Sequence, residues 1–406
     1  GFVQGLMNVW IEAPFDSLPV EGYRKQRYWM MAEAFVAAGH RVVYWTSDFS
    51  HATKGKRRWK VRGEGYDEGN EGGFELRMVP TRAYAKNVCL ARIRSHREYA
   101  RTWGRMAEEA VRTEQMARPG VIIVSAPPVS TGDVAIRLAR QWGARLVVDV
   151  QDAWPETFCR LLPRGFGWLA RGLFLGMRRA VRRLYRAADL VTGVCDRYEA
   201  LVKGYGAKEY YRAYLGIECM AEPARKSQGE GASGVAAART CMRLVYVGNL
   251  GASYDLKTVV AGVRQLRAEL GDYVSLDVAG FGGAVEAEGG VRFHGMLGRE
   301  ALGRLLSACD IGVIPMRTDS FVGIPNKLGE YAAAGLRIVS SLTGETEGLL
   351  VRYGCGATYR WGDVASFVEA VRTACGCGSS RPLCEAELDA VRIYRRYAER
   401  IGCVCS

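Results

Sequence analysis

Short apolar runs recur along this chain, each followed by an amphipathic stretch of helical length, and the whole pattern occurs twice. The first series reads as "MNVWIE" (7–12), a helix over 22–40, "RVVYWT" (41–46), "FELRMVP" (74–80), a long polar helix (92–117) and "VIIVSAPP" (121–128). It continues with a helix over 131–142, "RLVVDV" (145–150), a basic helix (167–187), "DLVTGV" (189–194) and a short helix (196–203). The second reads as "MRLVYVGNLG" (242–251), helix 255–270, "VSLDVAGFGG" (274–283), "VRFHG" (291–295), helix 298–308 and "DIGVIPM" (310–316). Helix 326–334, "RIVSS" (337–341) and helices over 363–375 and 385–401 complete it. Gly39 is a natural C-terminal stop for the first helix. Strands joined by helices of this length run parallel, so each series predicts a sheet covered on both faces. The basic, Gly-rich stretch 47–73 reads as a long loop, and 220–239 lacks any apolar period and reads as a linker. The expected class is α/β, with two doubly wound, Rossmann-like domains in tandem.

A chain of 406 residues can bury two cores, and 49% hydrophobic with 24% charged residues excludes a disordered one. No apolar run reaches the roughly 18 residues of a membrane span, and no basic region followed by an apolar stretch marks a secretory signal. A cytoplasmic protein is expected. The formal net charge of +13 favours anionic partners. With no zinc-finger spacing, aromatic ribonucleoprotein motif or polybasic tail, no nucleic acid is expected among them. The 12 cysteines are expected as reduced thiols. Cys375-Gly-Cys377 and Cys403-Val-Cys405, with Cys384 between them, lack the two-residue gaps of zinc sites, so no metal is expected.

Open parallel sheets bind ligands beyond the carboxyl ends of their strands. In the second series those ends carry Gly248-Asn249-Leu250-Gly251, Gly280-Phe281-Gly282-Gly283, His294-Gly295 and Pro315-Met316-Arg317. Next, "GIPNKLGEYAAAG" (323–335) sets Lys327 and Glu330 at the mouth of a helix. A helix N-terminus with a lysine suits an anion; an exposed i,i+3 ion pair is the plain alternative. His294 either lines a base pocket or is a satisfied structural histidine. In the first series, Gly22, Arg24 and Arg27 follow the first strand and suit a phosphate or acceptor, or else form a solvated helix start. Asp152 and Glu156 in "QDAWPE" (151–156) follow the fifth strand, where a carboxylate suits ligand hydroxyls or, at Glu156, caps the next turn, and His51 sits in "SDFSH" (47–51). Between Glu156 and Asp189 stand eight arginines and no acid: Arg160, Arg164, Arg171, Arg178, Arg179, Arg182, Arg183 and Arg186. That charge suits an anionic leaflet or a lipid diphosphate.

Four segments carry a family resemblance: 21–51, "DVQDAWPETF" (149–158), "VYVGNLGASYDLKTVV" (245–260) and "IPNKLGEYAAAGLRIVSS" (324–341). On these the chain resembles the retaining glycosyltransferase family 4, of GT-B fold. It is similar to bacterial members that build O-antigen and capsule units, including N-acetyl-fucosamine transferases. The resemblance implies two domains facing across a cleft: 1–218 for the acceptor, 241–384 for a nucleotide-sugar, 219–240 between them, and 385–406 crossing back. It implies a donor site of Gly22, Asn249, Gly251, Gly280, His294, Arg317, Val322, Gly323, Asn326, Lys327, Leu328 and Glu330, with Glu330 on the ribose and Lys327 on the diphosphate. It implies acceptor contacts from Arg24, Arg27, His51, Asp152 and Glu156, and catalytic roles for Asp152, Arg317 and Lys327. The partners implied are a nucleotide-diphosphate sugar, a lipid-linked glycan and, through 160–186, the inner face of the cytoplasmic membrane; no cofactor is implied. The chain departs from the family where many members carry Arg, Lys and Glu and this one carries Asn249, Tyr254 and Val322. Two other functions suit the fold. A nucleotide-sugar epimerase lacks support because its "H-R-x-E-N" signature is absent; a non-catalytic sugar-nucleotide module stays open.

Overall fold

The computed structural model describes residues 5–57, 73–86, 89–160, 172, 174–219, 242–251, 254–282, 289–317 and 322–405. The chain divides into two units, one comprising 1–214 with 391–406 and the other 215–390. The sequence put these junctions at 218 and 384. Most of the expected 219–240 linker lies outside the described residues, as do the start of the basic helix and Cys405's side chain.

The first unit is a seven-stranded parallel sheet. Its strands are β1 (Asn8–Glu12), β2 (Arg41–Ser47), β5 (Glu75–Val79), β6 (Val121–Ala126), β7 (Arg145–Val150), β8 (Leu190–Gly193) and β9 (Tyr210–Arg212). They run in the order β5-β2-β1-β6-β7-β8-β9. Val121–Ala126 is buried at every position, as a strand covered on both faces should be. The first helix, Arg27–Ala37, starts five residues later than expected. Gly22, at φ +85°, closes a 3-10 turn over Pro19–Glu21, and Gln26 is still extended. The helix ends through Gly39, at φ +87°, where its amide donates to Val36 and that of His40 to Phe35. Within the expected long loop, β3 (Phe49–Ser50) and β4 (Gly55–Lys56) form a small antiparallel hairpin.

The second unit is a six-stranded parallel sheet. Its strands are β10 (Met242–Asn249), β11 (Val274–Phe281), β12 (Val291–Phe293), β13 (Ile311–Ile314), β14 (Arg337–Ser340) and β15 (Gly356–Thr358). They run in the order β12-β11-β10-β13-β14-β15. One face packs Leu244, Tyr246, Leu276 and Val278 against Val259, Val263 and Leu266 of helix Leu256–Leu270 and Phe367 and Val371 of helix Val364–Cys375. Asp255 caps the first of these helices, accepting from the Thr258 and Gly362 amides.

One cysteine expectation is corrected. Cys384 is not a free thiol but forms a disulfide with Cys219. Beside it the Ile217 amide donates to Leu388 and Ile217 pairs with Asp389, so the second unit's two ends lie together. From there helix Ala390–Cys405 runs into the first unit.

Candidate donor and acceptor sites

In the second unit the strand order reverses between β10 and β13, and this unit's donor candidates lie at or beyond the carboxyl ends of β10, β11, β12 and β13; Gly22 belongs to the first unit. Gly248 and Gly280 lie side by side there. A Cβ on Gly280 would fall 1.7 Å from the Gly248 carbonyl oxygen, so only glycine fits. A Cβ on Gly248 would fall 2.8 Å from both Cε and Nζ of Lys327. The bare strand end is therefore what admits the lysine.

Lys327 lies in the first turn of helix Asn326–Ala333. Its Nζ stands 4.2 Å from the centroid of the Tyr254 ring and 5.2 Å from that of Tyr246, in the corner the two rings form. Tyr246 is fixed by its hydroxyl, which donates to the Asn249 carbonyl, and Tyr254 by pairing with Met316. Burial pushes the Lys327 ammonium down to about 8, with Glu330 opposing the shift. Asn249 holds its own turn by accepting from the Gly251 amide. Thr346 donates to the Gly323 carbonyl, fastening the loop that leads into the helix, where Val322 is half-buried. Arg317 and Asn326 are exposed and Glu330 is half-exposed.

One donor-site expectation is corrected, and the partners of a second candidate are defined. Leu328 is completely buried and serves the core. The His294 imidazole lies 2.7 Å from Asp277, which also receives Arg243 and Arg292. These bonds hold the Asp277 carboxyl down at about 2 against the opposing effect of its burial. His294 itself remains exposed at the carboxyl end of β12.

In the first unit the structure separates the acceptor candidates. Arg27 is corrected outright: it is 3% exposed and forms a bidentate pair with Asp149 at 2.7 and 2.8 Å. Its remaining nitrogen donates to the Ala213 and Tyr214 carbonyls, and its guanidinium lies over Tyr394 and Tyr397. It is a core tie between helix, sheet and returning C-terminal segment. Gly22 and Arg24 are exposed on the loop before that helix. Asp152 braces its own turn, accepting from the Trp154 indole and the Thr157 hydroxyl. Glu156 accepts from the Tyr205 hydroxyl and pairs with Arg178 at 3.3 Å.

His51 belongs to a cluster the sequence did not reveal. Its Nδ1 lies 2.6 Å from the Tyr84 hydroxyl and 3.2 Å from Lys54 Nζ. Arg92, from helix Leu90–Arg112, stands over three rings: Phe15, Tyr84 and Trp154. Arg92 thereby joins the His51 loop to the Asp152 turn. No spacing could have found it, because the three rings come from three separate segments. In the basic helix, described as Leu175–Ala187, the unopposed charge needs amendment: Arg183 pairs with Asp133, and Arg178 with Glu156. Arg179 and Arg182 are exposed and form no ion pair among the described residues.

Among the described residues no group of three His, Cys, Asp or Glu is placed to hold a metal ion, and no helix is long and apolar enough to cross a membrane.

Both units match glycosyltransferase models: residues 25–213 the glycosyl transferase 4-like domain, and 242–376 the glycosyl transferases group 1. The chain belongs to the glycosyltransferases, and its two α/β units have the GT-B fold. Similar solved structures include Anabaena Alr3699/HepE in complex with UDP-glucose, at TM-score 0.61 and 13% identity over 98% of this chain and 100% of that one. Sucrose-phosphate synthase from Thermosynechococcus elongatus matches at TM-score 0.59 and 12% identity, covering 98% of this chain and 96% of that one. A glycosyltransferase from Rickettsia africae matches at TM-score 0.61 and 8% identity, covering 98% of each. No curated protein matches the sequence.

Proposed function

We propose that the chain moves a hexosyl or N-acetylhexosaminyl group from a nucleoside diphosphate to a lipid-linked glycan in bacterial surface polysaccharide synthesis, with retention of configuration. The observation that carries the donor half is the seat of Lys327: a lysine against two rings, in the first turn of a helix, with Glu330 one turn on. A helix N-terminus and an ammonium together suit a diphosphate, and a carboxylate three residues on suits ribose hydroxyls. That UDP-glucose occupies the similar HepE structure supports the same donor class.

In this reading the anomeric carbon–oxygen bond to the diphosphate breaks while the acceptor hydroxyl attacks from the same face. Its proton passes to the leaving diphosphate oxygen. Negative charge grows on that oxygen and must be met where it develops. Lys327, Arg317 and the helix N-terminus supply that positive field, and the sequence has no Asp-x-Asp pair to hold a divalent ion. The reaction is therefore metal-independent: full activity in EDTA is the expected outcome, and collapse restored by magnesium or manganese would overturn it. Calorimetry with UDP tests the donor half directly. An intact protein that ignores UDP would refute it.

The acceptor half places the glycan at the first unit and the lipid at an anionic leaflet touched by the arginine-rich helix Leu175–Ala187. Exposed Arg179 and Arg182 support this.

A further inference from the structure

Helix Leu90–Arg112 presents to solvent a side that the fold leaves largely uncovered. Leu90 and Ile93 are 72% and 47% exposed. Arg94, Arg97, Arg101 and Arg105 are exposed as well and form no ion pair among the described residues. Steps of three and four residues separate these positions, so they fall along one side of the helix. The acidic residues of the same helix are engaged: Glu98 pairs with Arg82, Glu108 with Arg137 and Glu109 with Arg112. The charge left over along this side is positive.

The helix lies in a layer of three. A Cβ on Gly104 would fall 2.9 Å from Val134 of helix Gly132–Trp142, and one on Gly132 would fall 3.0 Å from Leu184 of helix Leu175–Ala187. The glycines thus let neighbouring helices approach closely. Ion pairs bridge both seams, Glu108 with Arg137 and Asp133 with Arg183. Each helix links one parallel strand to the next in sequence: β5 to β6, β6 to β7 and β7 to β8. All three therefore run against the strands and start at their carboxyl edge. Leu90 and Ile93 lie at that start in the first helix, and Leu175, 44% exposed, at that of the third. Exposed apolar side chains gather at the edge that carries the acceptor candidates, with arginines behind them.

From this placement we infer that helix Leu90–Arg112 docks on an anionic lipid bilayer, with Leu90 and Ile93 entering the headgroup region and Arg94, Arg97, Arg101 and Arg105 meeting lipid phosphates. Arginines alone would suit any polyanion. Exposed apolar side chains at the end of an arginine row suit an interface that is charged at its surface and apolar beneath. The inference rests on the membrane contact of the proposed function and adds to helix Leu175–Ala187 a second docking surface in the same layer. It turns the carboxyl edge of the sheet toward the bilayer, where a lipid-linked acceptor would present its glycan.

The test is co-sedimentation of the full chain at low salt with phosphatidylglycerol–phosphatidylcholine vesicles, beside retention on heparin as a soluble polyanion. Wild type should bind the vesicles. Arg97→Gln, Arg101→Gln and Arg105→Gln together should weaken that binding roughly a hundredfold, at about fivefold per charge near the surface. Arg395→Gln, an exposed arginine on helix Ala390–Cys405, is the charge control and should bind as wild type does. Leu90→Ser with Ile93→Ser should weaken vesicle binding about tenfold through lost apolar burial and leave heparin retention unchanged. All five substituted side chains on the helix are exposed, so melting temperatures should match wild type. Should the triple variant fail to fold, Arg101→Gln alone decides, at about fivefold. The inference is overturned if wild type binds vesicles and the folded arginine variants bind as tightly, or if the apolar pair makes no difference. Wild type that ignores anionic vesicles would refute the proposed membrane contact as a whole, and this surface with it.

Discussion

Lys327 is seated by residues of another element: Tyr254 contributes a ring to its seat, and Gly248, at the end of the first strand of the second unit, leaves it room. Lys327→Ala is expected to lower kcat roughly 10²–10³-fold, the scale of removing one donor aimed at developing charge. The lowered pKa adds a pH signature. Free Lys327 loses its proton as pH rises through about 8, while a bound diphosphate holds it charged. UDP affinity should be flat below that pH and fall above it by about tenfold per unit, because binding then takes up one proton. Lys327→Met should abolish that slope in calorimetry across pH 6.5 to 9.5, roughly one unit either side of the usual assay range. Arg27 teaches the opposite lesson. From sequence it looked like a surface cation at a helix start; its partner Asp149 lies 122 residues away, which no local pattern reveals. Arg27→Met leaves that carboxylate buried and unpaired and should destabilise the first unit by about 3–5 kcal/mol in denaturant titration. A fully stable variant with lost acceptor binding would restore the surface role.

At the scale of elements, legibility followed apolar content. β1, β2, β6, β7, β10 and β11 were readable because each carries a run of largely apolar residues that the fold buries. β15, "GAT", and β9, "YYR", were not: three half-buried residues carry no period, and their pairing with β14 and β8 makes them strands. Helix Glu345–Tyr353 escaped for a similar reason, its buried side being only Thr346, Leu349 and Leu350. The basic helix was legible as amphipathic, and only tertiary structure showed which arginines are engaged. The proposed membrane contact is best tested with those that form no ion pair among the described residues. Arg179→Gln with Arg182→Gln should weaken binding to phosphatidylglycerol vesicles by about 2 kcal/mol in co-sedimentation at low salt, near 1 kcal/mol per charge. Wild-type protein that stays in the supernatant would end that reading.

At the scale of the molecule, the chain passes between its units twice, at 214–215 and at 390–391. The two-domain plan was legible in the doubled alternation of strand and helix. The pairing of the second unit's ends was not, because Cys219 and Cys384 are separated by 165 positions. Mass spectrometry of a non-reduced tryptic digest should recover the peptides carrying them as one species; finding them separate would remove the disulfide. Closed ends of this kind mark an inserted domain. Residues 215–390 should then fold as an excised piece and bind UDP as the full chain does, since every residue of the Lys327 seat lies within it. Where a domain both enters and leaves at one place, two cuts and one graft exchange it whole. If the proposed donor site is right, a lineage could change the sugar it delivers by trading 215–390 as a cassette, with 1–214 and 391–406 left in place.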